Sequence, residues 1–236
     1  MTQLQTGCLH DYSLTTQNLK ILEKADLLIV NGLGMESFLD KVTSNYPKLK
    51  VIDASQDAQF MFDPNTGDPN PHVWVSILGA MKQVENITQA LTQIYPIHEA
   101  GYKMNAESYM HKLSVLQVKM QKALSNLPYK QIVTFHEAFS YFASEFNLEV
   151  IAVIESEPGK EPSPKELSDL ISKVKQMPRK VLFVEPQYTA KTADLIAQET
   201  GAVIYTLDPV VTGDGNLDSY LTSMEQNLET FKRALQ

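Results

Sequence analysis

The chain reads as an α/β protein whose sheets are mainly parallel and flanked by helices. Short, β-branched apolar runs recur through its second half at 131–135, 149–154, 181–185 and 202–206, each followed by a polar or helical stretch. Strands that alternate with helices in this way build parallel sheets covered on both faces. Two further strands are expected at 27–31 and 49–53, and a long uninterrupted helical pattern separates the two halves.

A helix over 15–25 precedes the first of these strands, and residues 3–6 read as the end of another. Two strands make a thin sheet for a lobe of about 100 residues, because a sheet ordinarily has ~4–6, so a further strand and helix are expected upstream of Met1. Residues 63–71 crowd Asp, Asn, Pro and Gly together as turn chemistry requires. From 99 to 127, Tyr102, Tyr109, Met110, Leu113, Leu116, Met120, Leu124 and Leu127 recur at helical spacing without an internal Pro. At 1.5 Å per residue that helix is about 40 Å long, a rigid strut rather than a hinge. Ser163-Pro164-Lys165-Glu166 sets a Ser N-cap before Pro at the first helical position and Glu at the third. Gly201 stops a helix over 189–200.

With 236 residues and 43 % apolar content the chain buries a real core, in one large domain or two modest lobes. Its 20 Lys+Arg against 28 Asp+Glu leave a formal charge of -8, so no basic stripe is offered to nucleic acid. No apolar run reaches the roughly 18 residues of a membrane helix. Gly7-Cys8 superficially matches a lipoprotein cleavage site, but the basic and apolar regions of a signal peptide are missing before it. Cys8 is the sole cysteine, so it forms no internal disulfide and says nothing about redox compartment.

His10, His72 and His136 each stand where a strand or loop gives way to helix, and Asp208 closes the apolar run 202–207 in a similar position. Three neutral imidazoles and one carboxylate fill a tetrahedral zinc shell, which describes a protein that holds a metal rather than one that reacts with it. In open α/β sheets ligands gather at the carboxyl ends of strands, and His136, Glu155, Glu185 and Asp208 all lie at such ends. Glu155, Glu157 and Glu185 either orient imidazoles from behind or are simply solvated. Glu137 points about 100° away from His136 and reads as a helix-start carboxylate, not a base. His98 and His111 have no partner motif and read as structural or surface residues. Trp74, Phe135, Phe139, Tyr141 and Phe142 read as core and cleft wall. A zinc-dependent hydrolase is the main alternative. It would keep a position open for water, and the sequence has no His-Glu-x-x-His run or nucleophile elbow. An adhesin-type interaction protein with a structural metal is the other.

Five motifs occur in order: His10-Asp11-Tyr12 with the run 26–36 behind it, Pro71-His72-Val73-Trp74, Thr134-Phe135-His136-Glu137-Ala138-Phe139, Glu161-Pro162-Ser163-Pro164, and Phe183-Val184-Glu185-Pro186-Gln187. Together they resemble the solute-binding receptors of bacterial zinc and manganese ABC importers, the cluster A-I binding proteins. The resemblance implies two α/β lobes, 1–98 and 128–236, joined by one rigid linker helix over 99–127, with the metal clamped in the inter-lobe cleft. By matching motifs, His10 and His72 come from the first lobe and His136 and Asp208 from the second. Manganese-selective members typically carry Glu at the third ligand position. His136 there favours Zn(II) as the transported ligand over Mn(II), since an imidazole-rich set suits the softer ion. The resemblance also implies an extracytoplasmic, monomeric receptor that delivers metal to an ABC permease in the membrane. The chain departs from the pattern in three places. Cys8-Leu9 stands where many members have Asp-Pro, the signal sequence and strand-helix-strand unit that open family precursors are missing, and no histidine-rich loop precedes His72.

Overall fold

The computed structural model describes residues 12, 14–62, 67–155 and 160–236; the strand expected at 3–6 lies outside these, as do His10 and Glu157. Within them the α/β expectation holds, in two parallel sheets flanked by helices. Helix α1 (Thr16–Lys24) begins with a capping box in which the Thr15 side chain accepts from the Asn18 N–H and the Asn18 side chain takes the Thr15 N–H. Strand β1 (Leu27–Val30), the short helix α2 (Asp40–Thr43) and strand β2 (Lys50–Asp53) follow. β1 and β2 pair in parallel, Leu27 with Lys50 through Val30 with Asp53. Each buries a single residue, Leu28 and Ile52. Leu22 of α1 packs with Leu28 and Leu39 in a core of its own.

Helices α3 (Ile77–Ile94) and α4 (Glu99–Ser125) form an antiparallel pair between the sheets. α4 is the expected strut, but its burial is lopsided. Leu113, Leu116, Met120 and Leu124 enter the main core, while the first half of the helix buries no residue fully. The second sheet is built from β3 (Gln131–Thr134), β4 (Glu149–Val153), β5 (Val181–Val184) and β6 (Val203–Thr206), all parallel in the order β4-β3-β5-β6. Helices α5 (Ser140–Glu145), α6 (Pro164–Gln176), α7 (Lys191–Thr200) and α8 (Ser219–Ala234) cover it. The central strand β5 is buried throughout, as its unbroken Val181-Leu182-Phe183-Val184 run requires. Under it the stacked rings of Phe142 and Phe231, 4.9 Å apart, centre the core. Ser163 and Glu166 make the expected capping box on α6. Gly201 ends α7 in the left-handed region at φ 71.

From β3 the chain crosses to β4 on one side, and from β5 it crosses to β6 on the other. The strand order therefore reverses between β3 and β5, which makes the gap beyond their carboxyl ends the natural ligand crevice of this sheet. No helix among the described residues is long and apolar enough to cross a membrane.

The helix expected to follow His72 is α3, whereas α8 was not anticipated from the sequence. In α3 only Ile77 and Ala80 are fully buried; in α8 Met224, Leu228, Phe231 and Ala234 recur at helical spacing and enter the main core, with the polar Asn227 and Thr230 buried beside them. The start of α3 is nevertheless firmly built. The Ser76 Oγ accepts from the Gly79 N–H at 3.0 Å and donates to Glu145 Oε2 at 2.7 Å, and that same oxygen accepts from the Leu78 N–H at 3.3 Å. Burial raises the Glu145 carboxyl above the ordinary range, opposed by its bonds from Ser76, Leu78 and Ile77. A raised folded-state pKa means a stability contribution present at low pH and lost as pH rises through that value. Glu145→Gln is therefore expected to raise the melting temperature at pH 7.5 and to leave it unchanged near about pH 4, where Glu145 is itself largely protonated. A larger effect at the lower pH would mean that the carboxylate, not the acid, is the form this fold prefers.

Candidate metal centre

β3 ends at Thr134, and the chain then runs through Phe135 to His136 in extended backbone before turning into α5. A hydrogen bond from the Glu155 N–H to the Phe135 carbonyl, 2.8 Å, continues the β3–β4 pairing up to this point. β5 ends at Val184, with Glu185 next. These strands flank the reversal in strand order, so His136 and Glu185 meet over the crevice. His136 Nδ1 is hydrogen-bonded to Glu185 Oε1, with both residues buried. Glu185 thus orients an imidazole from behind, whereas Glu137 is the first residue of the short turn after His136.

His72 arrives from a different direction. It precedes the single turn Val73–Val75 that leads into α3, and it is fully buried. Its ring stands 4.9 Å from that of His136 between centroids, edge to face, and the two Nε2 atoms are 3.2 Å apart. Behind it, Nδ1 lies 2.8 Å from Asn70 Oδ1. The amide orientation is fixed by its other neighbours. The same oxygen accepts from the His72 N–H at 3.0 Å, and Asn70 Nδ2 donates to the Glu137 carbonyl at 3.1 Å. An oxygen that already takes a backbone N–H can face only a protonated Nδ1.

The Nδ1 protons of both rings are thereby assigned. Each Nδ1 donates to an oxygen acceptor, so in its neutral form each ring turns its Nε2 lone pair toward the other. Two lone pairs at this distance repel unless a cation answers them. Two nitrogens bound at ~2.05 Å to one tetrahedral zinc stand about 3.3 Å apart, close to the observed separation.

Asp208 follows the buried Leu207 just beyond β6. Its backbone is gripped from both sides by the buried Asn227, which accepts from the Asp208 N–H at 2.9 Å and donates to the Asp208 carbonyl at 2.7 Å. The Asp208 carboxylate accepts from the Val210 N–H at 2.8 Å, and Val210 sits at φ 56, a strained value for a β-branched residue. The Trp74 indole donates to the Pro209 carbonyl at 2.8 Å, so this turn is tied to the segment that carries His72. The described residues contain no group of three or more His, Cys, Asp or Glu side chains placed to hold an ion. Of the four expected ligands, the structure brings together His72 and His136, sets Asp208 on a turn linked to them, and leaves His10 outside the described residues. His98 and His111 are exposed, one beside and one within α4, away from the pair.

Asn31, Asn70 and Asn227 position the site and were not singled out from sequence. Asn31 Nδ2 reaches the Pro71 carbonyl at 2.9 Å from the end of β1. The loop after it turns sharply at Gly32, φ +88, where an added Cβ would collide with the Asp53 carboxylate at 2.0 Å. Tyr141, expected as cleft wall, also donates its hydroxyl to the Asn70 carbonyl at 2.6 Å.

Comparison with known proteins shows the family. The family model described as the periplasmic zinc-uptake complex component A matches residues 4–234. The iron-binding protein YfeA of Yersinia pestis is 26 % identical over 234 residues, covering 95 % of this chain and 75 % of its own length. A metal ABC transporter substrate-binding lipoprotein of Lactococcus lactis is 28 % identical, covering 96 % of this chain and 77 % of its own length. The crystal structure of ZnuA superposes with a TM-score of 0.88 at 28 % identity, over 99 % of this chain and 89 % of that one. Fold and matches together define a solute-binding receptor of the metal-uptake type and not an enzyme. The chain belongs to the zinc-uptake complex component A family.

Proposed function

We propose that this chain captures Zn(II) outside the cytoplasm and presents it to the permease of an ABC importer, with His10, His72, His136 and Asp208 as the ligands. The observation that carries the reading is the pair of Nε2 lone pairs facing each other at 3.2 Å, each fixed by a hydrogen bond on the far side of its ring. Imidazole donors favour zinc over manganese, which prefers oxygen. Iron, named for the Yersinia pestis relative, and manganese are the competing cargoes. The receptor acts as a monomer, with lobes over 1–98 and 128–236 and the helical link over 99–127. Nothing in this reading needs a reaction, because four protein ligands leave no position for an activated water.

Stripping the protein with a chelator and titrating zinc against a competing dye tests it. One zinc should bind per chain, and Mn(II) and Fe(II) should compete at least about tenfold less well, following the order of divalent affinities at nitrogen-rich sites. Equal competition by manganese would remove zinc as the cargo. The absence of any stoichiometric binding would remove the receptor reading.

A further inference from the structure

Asn70 is 2 % exposed, and each of its polar groups is engaged. Its Oδ1 takes both the N–H and the Nδ1–H of His72, at 3.0 and 2.8 Å, and its Nδ2 donates to the Glu137 carbonyl at 3.1 Å. Its own N–H donates to the Met61 carbonyl at 2.7 Å, and its carbonyl accepts the Tyr141 hydroxyl, whose oxygen in turn accepts from the Met61 N–H at 2.9 Å. One amide therefore touches the ring of one histidine and the peptide that follows the other. We propose that Asn70 is a positioning residue for the metal: it holds His72 in the Nδ1–H tautomer and locks that ring to the His136 turn, so that the two Nε2 atoms stand as a half-site assembled before metal arrives. This rests on the metal-receptor reading of the pair.

The surroundings of His72 place this half-site on one body. Val75 and Ile77, just after it, lie in the main core with Phe135, Phe139 and Phe183. Trp74 is bonded at both ends to the far part of the chain, by its indole to Pro209 and at its carbonyl by the Tyr220 hydroxyl at 2.8 Å. Ser76 is bonded to Glu145 of α5. Asn31, at the end of the first sheet's β1, donates to the Pro71 carbonyl of this segment. His72 precedes the linker helix in sequence, yet its anchorage is to the second sheet. Asn70 closes that anchorage at the ring itself.

An alanine at 70 removes the acceptor of the His72 Nδ1–H and one of the donors to the Glu137 carbonyl, which keeps the Ser140 N–H and hydroxyl. An aspartate keeps the acceptor for the ring and loses the donor to Glu137. Zinc affinity by dye competition, melting temperature, and the His72 tautomer by nitrogen-15 NMR of the metal-free protein are to be measured for the wild type, Asn70→Ala and Asn70→Asp. Asn70→Ala should lower zinc affinity at least about tenfold, the ordinary effect of losing a partner behind a ligating histidine, and should let the Nε2–H tautomer appear. Asn70→Asp should keep the wild-type tautomer and recover most of the affinity. Wild-type affinity with an unchanged tautomer in Asn70→Ala would overturn the proposal, as would an Asn70→Asp protein whose His72 carries its proton on Nε2. That second arm decides the matter even if the alanine variant does not fold. Titration of the wild type tests the receptor reading separately, because the tautomer is read without metal.

Discussion

Replacing His136 by alanine is expected to lower zinc affinity by two to three orders of magnitude and to weaken the metal-free protein as well. A four-ligand zinc site is worth roughly 10–16 kcal/mol, or about 3–4 kcal/mol per ligand, which corresponds to a hundredfold to thousandfold loss. The second effect comes from Glu185. It is 3 % exposed, one of its oxygens is bonded to His136, and the other has no hydrogen-bond partner among the described residues. Taking away the imidazole leaves a buried carboxyl oxygen without its donor, and stranding a buried acceptor costs about 1–3 kcal/mol, more if the group is charged. The two effects separate in the double variant His136→Ala/Glu185→Gln. The melting temperature should largely recover there, because a neutral amide is cheaper to bury than an unpaired charge. Zinc affinity should not recover, since no ligand has been restored. If His136→Ala binds zinc within about tenfold of the wild type, then His136 is not a ligand.

What could be read in the sequence follows from where each residue type is unambiguous. The strands of the second sheet are contiguous apolar runs, and the caps on either side of them, Ser163 with Glu166 and Gly201, act through local chemistry that needs no tertiary partner. His72 and His136 stood out because a histidine at the junction of elements has few structural uses. Asn70 did not, because in a run of Asp, Asn, Pro and Gly it looks like any turn residue. Its burial arises only when the Glu137 and Met61 backbones close around it. Asn227 was hidden for a related reason. On a helix its amide reads as a solvated position, yet it is the clamp on Asp208. Hydrogen bonds and burial tie His72 largely to the second sheet, a connection that its position ahead of α4 in the chain does not reveal. Sequence patterns report periodicity and local capping. They do not report which distant carbonyl an amide meets.

The same pair predicts how metal preference is set. His136→Glu alone is expected to bind both zinc and manganese poorly, although the exchange of nitrogen for hard oxygen favours manganese. The introduced carboxylate would sit against Glu185, where His136 now donates to it. Two carboxylates at hydrogen-bond distance in a buried site cannot both ionise freely, so one keeps a proton and the metal must displace it. Adding Glu185→Gln removes that conflict, because the amide can donate to the new carboxylate much as the site now lets an imidazole donate to Glu185. The double variant His136→Glu/Glu185→Gln should therefore recover binding and show a zinc-to-manganese affinity ratio lower than the wild type's by at least about tenfold. Dye competition with each metal on the same three proteins gives the ratios directly. A ratio unchanged in the double variant would mean that the residue at position 136 does not govern selectivity. Equal affinities of the single and double variants would mean that Glu185 does not act on the metal through the residue in front of it. The paired outcome expected here, weak binding in one and re-tuned binding in the other, requires both the ligand and the carboxylate behind it to be as the geometry places them.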